Sequence, residues 1–222
     1  MKNLINDKEY FIQKRNAEIK RIEKFERTLN ELEQSNVNGI RVGKIHLANL
    51  YLNCVKLSYS IDRSFENLLS YYINFLEYYK DVCNSGDSLY DIIDIISIGV
   101  LLKEKSTQFI GYLKEIVMKF GSDDGMIVFL MDYLENKNSI ENESVFDYFN
   151  DLMKCESKEK ILIEELEVWY NKHSDAYWYN SHKSNNNSYC GYWCFEIAAI
   201  AKIFGVNDEL LSESPYFPSN TQ

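Results

Sequence analysis

Proline is almost absent from this sequence of 222 residues: only Pro215 and Pro218 occur, both in the last eight residues. Proline interrupts helices because it lacks a backbone donor and because its ring clashes with the preceding turn. Nothing before residue 215 therefore needs to break a helix in this way. The scarcity of proline favours an all-α fold, in a chain long enough for one large domain or two small ones.

Long apolar runs are lacking as well. The longest, Ile92–Leu102, is interrupted by Asp94 and Ser97, and it is far shorter than the roughly 20 residues that span a bilayer. The N-terminal segment lacks the apolar core of a signal peptide. These absences predict a cytoplasmic protein without membrane contact. An odd number of cysteines without the spacing of a disulfide framework predicts free thiols: Cys54, Cys83, Cys155, Cys190 and Cys194.

Motifs of catalysis are also missing, since the sequence contains no phosphate-binding glycine loop, no G-x-S-x-G and no metalloprotease helix motif. Cys190 and Cys194 have a spacing that occurs in zinc sites, but the spacing of His173 and His182 does not fit. A nucleophilic cysteine paired with His182 would have no identified orienting group. We predict no catalytic residue, no cofactor and no metal. A small α-helical enzyme or metal-binding protein using His182, Cys190, Cys194 and Glu196 remains the alternative.

Apolar residues recur at helical spacing through most of the chain, which predicts a series of amphipathic helices. The first helix carries one apolar stripe from Ile12 to Leu32. We expect a terminating loop at Asn36–Gly43 and a second helix around residues 47–57. A third helix is expected to begin near Ser64.

The fourth helix is expected at the centre of the fold, because apolar residues cover most of its circumference. Asn84–Gly86 separates it from the third helix, and Ser88 can cap it with Asp91 as a variant of the capping box. Shorter helical segments follow, at residues 126–134, 144–153, 157–170 and 192–204, with a turn at 208–211. The pattern predicts about nine to ten helices, as a compact helical bundle or stacked helix pairs.

A boundary is expected at Gly121–Gly125, where a glycine can close one helix and Asp123 or Asp124 can cap the next. We take this as the division between two tightly associated helical subdomains. The predicted domains are residues 1–122 and 123–222.

The acidity of the chain belongs to its later part. Residues 1–60 hold 11 Lys and Arg against 7 Asp and Glu, whereas residues 61–222 hold 13 against 27. Between residues 123 and 151, Lys137 is the one cation beside eight carboxylates: Asp123, Asp124, Asp132, Glu135, Glu141, Glu143, Asp147 and Asp151. Direct binding of nucleic acid is disfavoured there, because that affinity comes from cations that displace counterions.

A surface of this sign attracts a basic protein, raising the encounter rate more than the affinity. Acidic faces also serve solubility alone, and the sequence leaves both interpretations open.

The C-terminal end carries the most distinctive pattern of the chain. It consists of an aromatic and histidine run, a Tyr-x-Gly-Tyr-Trp-Cys-x-Glu motif, and an alanine-rich predicted helix that closes at a glycine. The residues are Asp175, Trp178, Tyr179, His182, Tyr189, Gly191, Tyr192, Trp193, Cys194, Glu196, Gly205, Asp208, Leu210 and Tyr216. This pattern resembles the C-terminal domain of the PoNi immunity proteins. A weaker N-terminal resemblance rests on Glu9 to Phe11, Ile22 to Phe25, Leu50, Tyr51 and Tyr59. The chain departs from the family pattern at Ser188–Gly191, in an Asn-rich lead-in with Cys190.

This resemblance implies an immunity protein that binds and inhibits a cognate PoNe-type DNase toxin of interbacterial competition. The implied partner is a basic protein, and the eight carboxylates together with Trp178 are the predicted contact residues. Eight motif residues are expected to be structural: Asp175, Tyr179, His182, Tyr189, Gly191, Tyr192, Trp193 and Glu196. The sequence leaves the oligomeric state open.

Glu196 is the most constrained polar residue, because its predicted helix is otherwise apolar. A buried carboxylate needs a partner, and the nearest candidates in sequence are His182, Lys183 or a tyrosine hydroxyl. We expect Glu196 to hold the segment from Trp178 to His182 against the helix. Trp178 itself fits either the core or an interface.

Overall fold

Nine α-helices follow one another in the computed structural model, which describes residues 7–138, 142–185 and 187–219. They are α1 (Lys8–Glu31), α2 (Val37–Asp62), α3 (Leu69–Tyr79), α4 (Leu89–Leu101), α5 (Ile110–Phe120), α6 (Gly125–Glu135), α7 (Asp147–Lys154), α8 (Lys158–Lys172) and α9 (Phe195–Phe204). Short 3₁₀ helices occupy Lys103–Gln108, Ser181–Lys183 and Leu211–Glu213. The described ranges contain no strand, so the all-α prediction is confirmed. No helix in these ranges is both long and apolar enough to cross a membrane.

The two longest helices, α1 and α2, form a hairpin that is joined by residues 32–36. The predicted loop at Asn36–Gly43 is wrong, because the Asn36 side chain accepts a hydrogen bond from the Gly39 amide at 3.0 Å and caps α2. Gly43 does not break the helix either. A Cβ added there would lie 3.0 Å from the Leu29 side chain, so this glycine lets α1 and α2 approach closely.

The third helix begins later than predicted, at Leu69 rather than near Ser64. Arg63 ends α2 in the left-handed conformation, with φ 49°. A turn then carries Phe65 into the core, where its ring stacks on Tyr59 with centroids 4.9 Å apart. The apolar periodicity therefore extends through this turn, although the helix does not.

Helix α4 lies at the centre of the fold, as predicted, and packs against α5, α6 and α9. All residues from Ile95 to Val100 are buried. The Tyr72 hydroxyl donates a hydrogen bond to the Ile95 carbonyl at 2.8 Å, which fixes α3 against α4. Ser88 is the N-cap residue of α4, but its side chain makes no capping hydrogen bond. The capping box predicted for Ser88 and Asp91 is therefore not formed.

Gly121 closes α5 with φ +74°, and Asp124 caps α6 by accepting a hydrogen bond from the Met126 amide at 2.9 Å. The helix boundary predicted at Gly121–Gly125 is therefore present. One hydrophobic cluster nevertheless runs from Phe11 to Phe217 through both halves. The division into domains at residue 123 stays a prediction.

The last long helix begins at Phe195, three residues after its predicted start. Gly191 has φ +99°, which is not helical. The Cys194 amide donates to the Tyr216 carbonyl at 2.9 Å. This bond fixes the residue before α9 to the C-terminal segment.

Candidate binding cavity

A cavity of about 320 Å³ opens on one side of the described molecule. Helices α2, α4, α6, α7, α8 and α9 contribute to its wall, together with the segment between α8 and α9. Lys56 comes from α2, Asp91 and Asp94 from α4, and Glu196 from α9. Concave sites that combine apolar walls with a few polar groups are where proteins commonly bind ligands.

Carboxylates outnumber cations in this cavity. Lys56 pairs with Asp94 at 3.1 Å, and Lys172 pairs with Glu165 at 2.6 Å. Burial works most strongly on Lys56 and disfavours its ammonium form, but the neighbouring acidic groups, Asp94 foremost, together outweigh it and raise the pKa of Lys56. Asp91 has no hydrogen-bond or salt-bridge partner among the described residues. Burial raises the pKa of its carboxyl, although Lys56 acts in the opposite direction.

Aromatic side chains form much of the wall. The rings of Trp169 and Trp178 stack with centroids 5.4 Å apart and planes 17° from parallel. Trp178 is half-buried and lines the cavity. It is therefore neither fully in the core nor fully on the surface, the two locations that the sequence left open. Tyr90 meets His173 edge to face at 5.0 Å. The His173 ring in turn bonds to the Trp169 carbonyl through Nδ1, at 2.7 Å.

Three large apolar or aromatic side chains at the cavity are exposed to solvent. The exposed fractions are 53% for Tyr90, 72% for Val145 and 81% for Tyr177. Exposed apolar groups that are gathered around a concave site mark surfaces that bind a partner, whereas scattered ones do not. We call these three residues the rim.

Glu196 has a different partner from those expected. Its Oε1 accepts a hydrogen bond from the Trp169 indole at 2.6 Å, which ties α9 to α8. The expectation of His182, Lys183 or a tyrosine hydroxyl is wrong, because the His182 ring bonds instead to the Tyr192 hydroxyl at 2.7 Å. Burial, reinforced by Asp94, raises the pKa of Glu196.

We expect Glu196→Leu to lower the free energy of unfolding by about 1–3 kcal/mol, because the indole donor of Trp169 loses its acceptor. Glu196→Gln keeps an acceptor oxygen and removes the buried charge. A glutamate whose pKa is raised by folding contributes stability below its ordinary value of 4.5, and loses that contribution as the pH rises through the folded pKa. The stability of Glu196→Gln relative to the wild type should therefore be greater at pH 7.5 than at pH 4.5.

Urea unfolding of both variants at the two pH values measures these effects. Equal stability of Glu196→Leu and Glu196→Gln at pH 7.5 would mean that the hydrogen bond to Trp169 contributes nothing.

The remaining motif residues hold the segment before α9 in place. The Trp193 indole donates to the Ser60 hydroxyl at 2.8 Å, and the Arg63 guanidinium lies 4.1 Å from the Trp193 ring centroid. Tyr189 is buried, and its carbonyl accepts a hydrogen bond from the Tyr10 hydroxyl at 2.9 Å. The segment is thereby fixed to α1 and α2.

Two further motif residues lie nearer the surface. Tyr179 packs against Tyr170 with centroids 4.6 Å apart, whereas Asp175 is exposed. The sequence motif therefore mixes residues that fix the segment with one that faces solvent.

The eight carboxylates between residues 123 and 151 do not form one uniform surface. Asp124 is buried and accepts hydrogen bonds from the Met126 amide, the Val145 amide and the Ser144 hydroxyl. The helix predicted at residues 144–153 begins only at Asp147, and residues 144–146 precede it. The Ser144 amide instead donates a hydrogen bond to the Asn150 side chain at 2.9 Å.

Glu135 pairs with both Lys114 and Lys137, and these two cations lower the pKa of its carboxyl. Asp132 is half-buried. Glu141 lies outside the described residues. The exposed members of the set are Asp123, Glu143, Asp147 and Asp151. Asp147 lines the cavity with Trp178, and these two are the predicted contact residues that the structure brings together there.

The cavity also contains residues that the sequence did not single out as a site. Lys56, Asp91, Trp169 and Tyr177 belong to three different helices and a loop. Of these, Tyr177 alone lies in the distinctive C-terminal stretch, where it directly precedes Trp178 in the aromatic run, and that run was the one signal available.

The thiols do not favour the metal or nucleophile alternative. Within the described ranges, no group of three or more His, Cys, Asp or Glu residues is arranged to hold a metal ion. Cys190 and Cys194 are free and buried. Burial raises the pKa of Cys190 to about 11 and that of Cys194 well above its ordinary value. Both therefore remain thiols near neutral pH, whereas metal binding and nucleophilic attack need the thiolate.

Comparison with known proteins gives matches over both halves of the chain. Residues 1–112 match the family model of the PoNe immunity protein (PoNi) N-terminal region, and residues 122–220 match that of the C-terminal region. No curated protein is significantly similar. A solved structure of protein PA2201 from Pseudomonas aeruginosa is similar in fold, with a TM-score of 0.67 and 15% identity over 93% of this chain and 84% of that one. The two family matches cover nearly the whole sequence, and this chain belongs to the PoNi family of PoNe immunity proteins.

Proposed function

We propose that this chain binds a cognate PoNe-type DNase toxin and inhibits it, as part of an interbacterial competition system. The match of both halves to the immunity family carries this proposal. Inhibition by binding needs no catalytic step, so we propose that the protein is not an enzyme. We place it in the cytoplasm, because an immunity protein against a DNase must meet the toxin where the DNA is.

The charge of the molecule supports a basic partner. A DNase that binds the phosphate backbone presents cations, and an acidic surface attracts such a protein and orients its approach. Asp123, Glu143 and Asp151 are exposed and have no salt-bridge partner among the described residues. We propose that they steer the toxin, and that direct binding of nucleic acid does not occur.

Co-expression tests this function. Candidate PoNe-type DNases from the genome that encodes this chain would be induced in a sensitive host, with and without the chain. We expect survival and a one-to-one complex for the cognate toxin, because stoichiometric binding blocks the nuclease. An unrelated acidic helical protein of similar net charge is the control, and it should not protect.

The complex should also form more slowly as salt increases, because exposed charges are screened over about 8 Å at physiological ionic strength. Death of the host and no complex, with every candidate toxin active and this chain folded, would contradict the proposed function.

A further inference from the structure

We propose that the cavity is the part of the interface that receives an arginine side chain of the toxin. This inference rests on the proposed function, since it names the chemistry of the partner at one site.

The charge balance in the cavity favours a cation. Lys56 and Lys172 each neutralise one carboxylate, Asp94 and Glu165 respectively. Of the three remaining carboxylates, Glu196 accepts the hydrogen bond from Trp169, whereas Asp91 and Asp147 have no hydrogen-bond or salt-bridge partner in the ranges that the structure describes. The cavity therefore presents unpaired negative charge at a site that is partly removed from water, where an incoming cation gains more than it would on an open surface.

The aromatic wall favours a guanidinium over an ammonium. Trp178 is half-buried, stacks on the buried Trp169 and lines the cavity, and Tyr90 and Tyr177 lie at the mouth. A guanidinium is planar, stacks on aromatic faces and is more weakly hydrated than the ammonium of lysine. It can also form two parallel hydrogen bonds to one carboxylate, such as that of Asp91.

The rim is suited to a protein partner. Tyr90, Val145 and Tyr177 surround the acidic cavity with exposed apolar area. Aromatic residues are enriched at interfaces, and contacts around a buried anchor contribute by excluding water from it. The volume of about 320 Å³ lies at the small end of the range of roughly 300–1,000 Å³ found for ligand pockets. It suits a side chain that enters from a larger partner.

Two variants and their matched controls test the site. Asp91→Asn with Asp147→Asn removes both unpaired charges, and Tyr177→Ala removes an exposed rim residue. Asp62→Asn with Asp208→Asn removes two exposed charges elsewhere, and Met118→Ala removes a side chain that is 73% exposed and lies outside the cavity. Thermal unfolding checks that each variant is folded.

Titration with the purified cognate DNase, as an inactive variant, gives the affinities. We expect each cavity variant to bind about 30-fold more weakly, the size typical of an interface anchor, and each control to change less than about twofold. Unchanged affinity of both cavity variants would overturn this inference and leave the proposed function intact. No binding by the wild-type chain would overturn both.

The arginine itself is identified by double-mutant cycles. Each arginine and lysine of the toxin would be changed to alanine and combined with Asp91→Asn. One arginine should show a coupling of about fivefold or more with Asp91, because residues in contact are not additive. Coupling confined to a lysine, or to no cation at all, would overturn the assignment.

Discussion

Gly191→Ala is expected to be the most destabilising single change in the C-terminal motif. Gly191 has φ +99°, a conformation that costs a residue with a side chain about 1–3 kcal/mol. A Cβ there would also lie 2.4 Å from both the Ser60 hydroxyl and the Trp193 indole nitrogen. Overpacking of this kind typically costs a further 1–3 kcal/mol. Together we expect a loss of about 2–6 kcal/mol, measured by urea unfolding.

The hydrogen bonds at this position explain why the neighbours cannot move away. The Ser60 hydroxyl accepts from the Trp193 indole and donates to the Cys190 carbonyl, both at 2.8 Å. Separating these groups to admit a methyl group would leave buried polar atoms unpaired. The close approach of the segment before α9 to helix α2 therefore requires a glycine at position 191.

Gly111→Ala is the matched control. Gly111 is exposed on α5, and a Cβ there would meet no atom within 4 Å. Gly111 lies in the first turn of α5 without a positive φ, and glycine-to-alanine changes at compatible positions stabilise by about 0.4–1 kcal/mol through the unfolded chain, so this variant should be slightly more stable than the wild type. Similar stability of the two alanine variants would contradict the packing described around Gly191.

The helices that could be predicted are those with a clear apolar pattern. Helix α1 has a single apolar stripe, and α4 is apolar on nearly every face, so both the existence of α4 and its central place followed from the sequence. The start of α2 was missed because the stretch Asn36–Gly43, which contains Gly39 and Gly43, was predicted to be a loop. Whether a glycine breaks a helix or permits close packing depends on the opposing helix, here at Leu29.

The cavity could not be predicted in the same way. Its carboxylates come from α4, α7, α8 and α9. Periodicity shows which residues share one helical face, but it does not show which faces of different helices meet. Trp169 is an example, because it lies 27 positions before Glu196 and yet donates a hydrogen bond to it. The partners predicted from the sequence lie much nearer to the glutamate along the chain.

Charge density along the sequence was an incomplete guide for a related reason. Eight carboxylates in one stretch suggested one acidic surface. In the folded chain, however, Asp124 is a buried cap and Glu135 is neutralised by two lysines. Adjacent residues of the same type can therefore have unrelated roles.

Asp124→Ala is expected to lower the free energy of unfolding by about 2–4 kcal/mol. Loss of the helix cap at Met126 accounts for about 1 kcal/mol, and the Val145 amide and the Ser144 hydroxyl lose their acceptor at about 1–3 kcal/mol. Asp123→Ala, at the exposed neighbour, should change stability by less than about 0.5 kcal/mol. Urea unfolding of the two variants measures this difference.

Toxin binding then separates the two roles. If Asp123 steers the partner, Asp123→Ala should slow association while the fold keeps its stability. Asp124→Ala should weaken protection of the host only to the extent that less folded protein is present, because its carboxylate faces the start of α6 and the residues before α7. Weaker toxin binding by folded Asp124→Ala, with stability equal to that of Asp123→Ala, would instead place Asp124 in the interface and contradict its role as a cap.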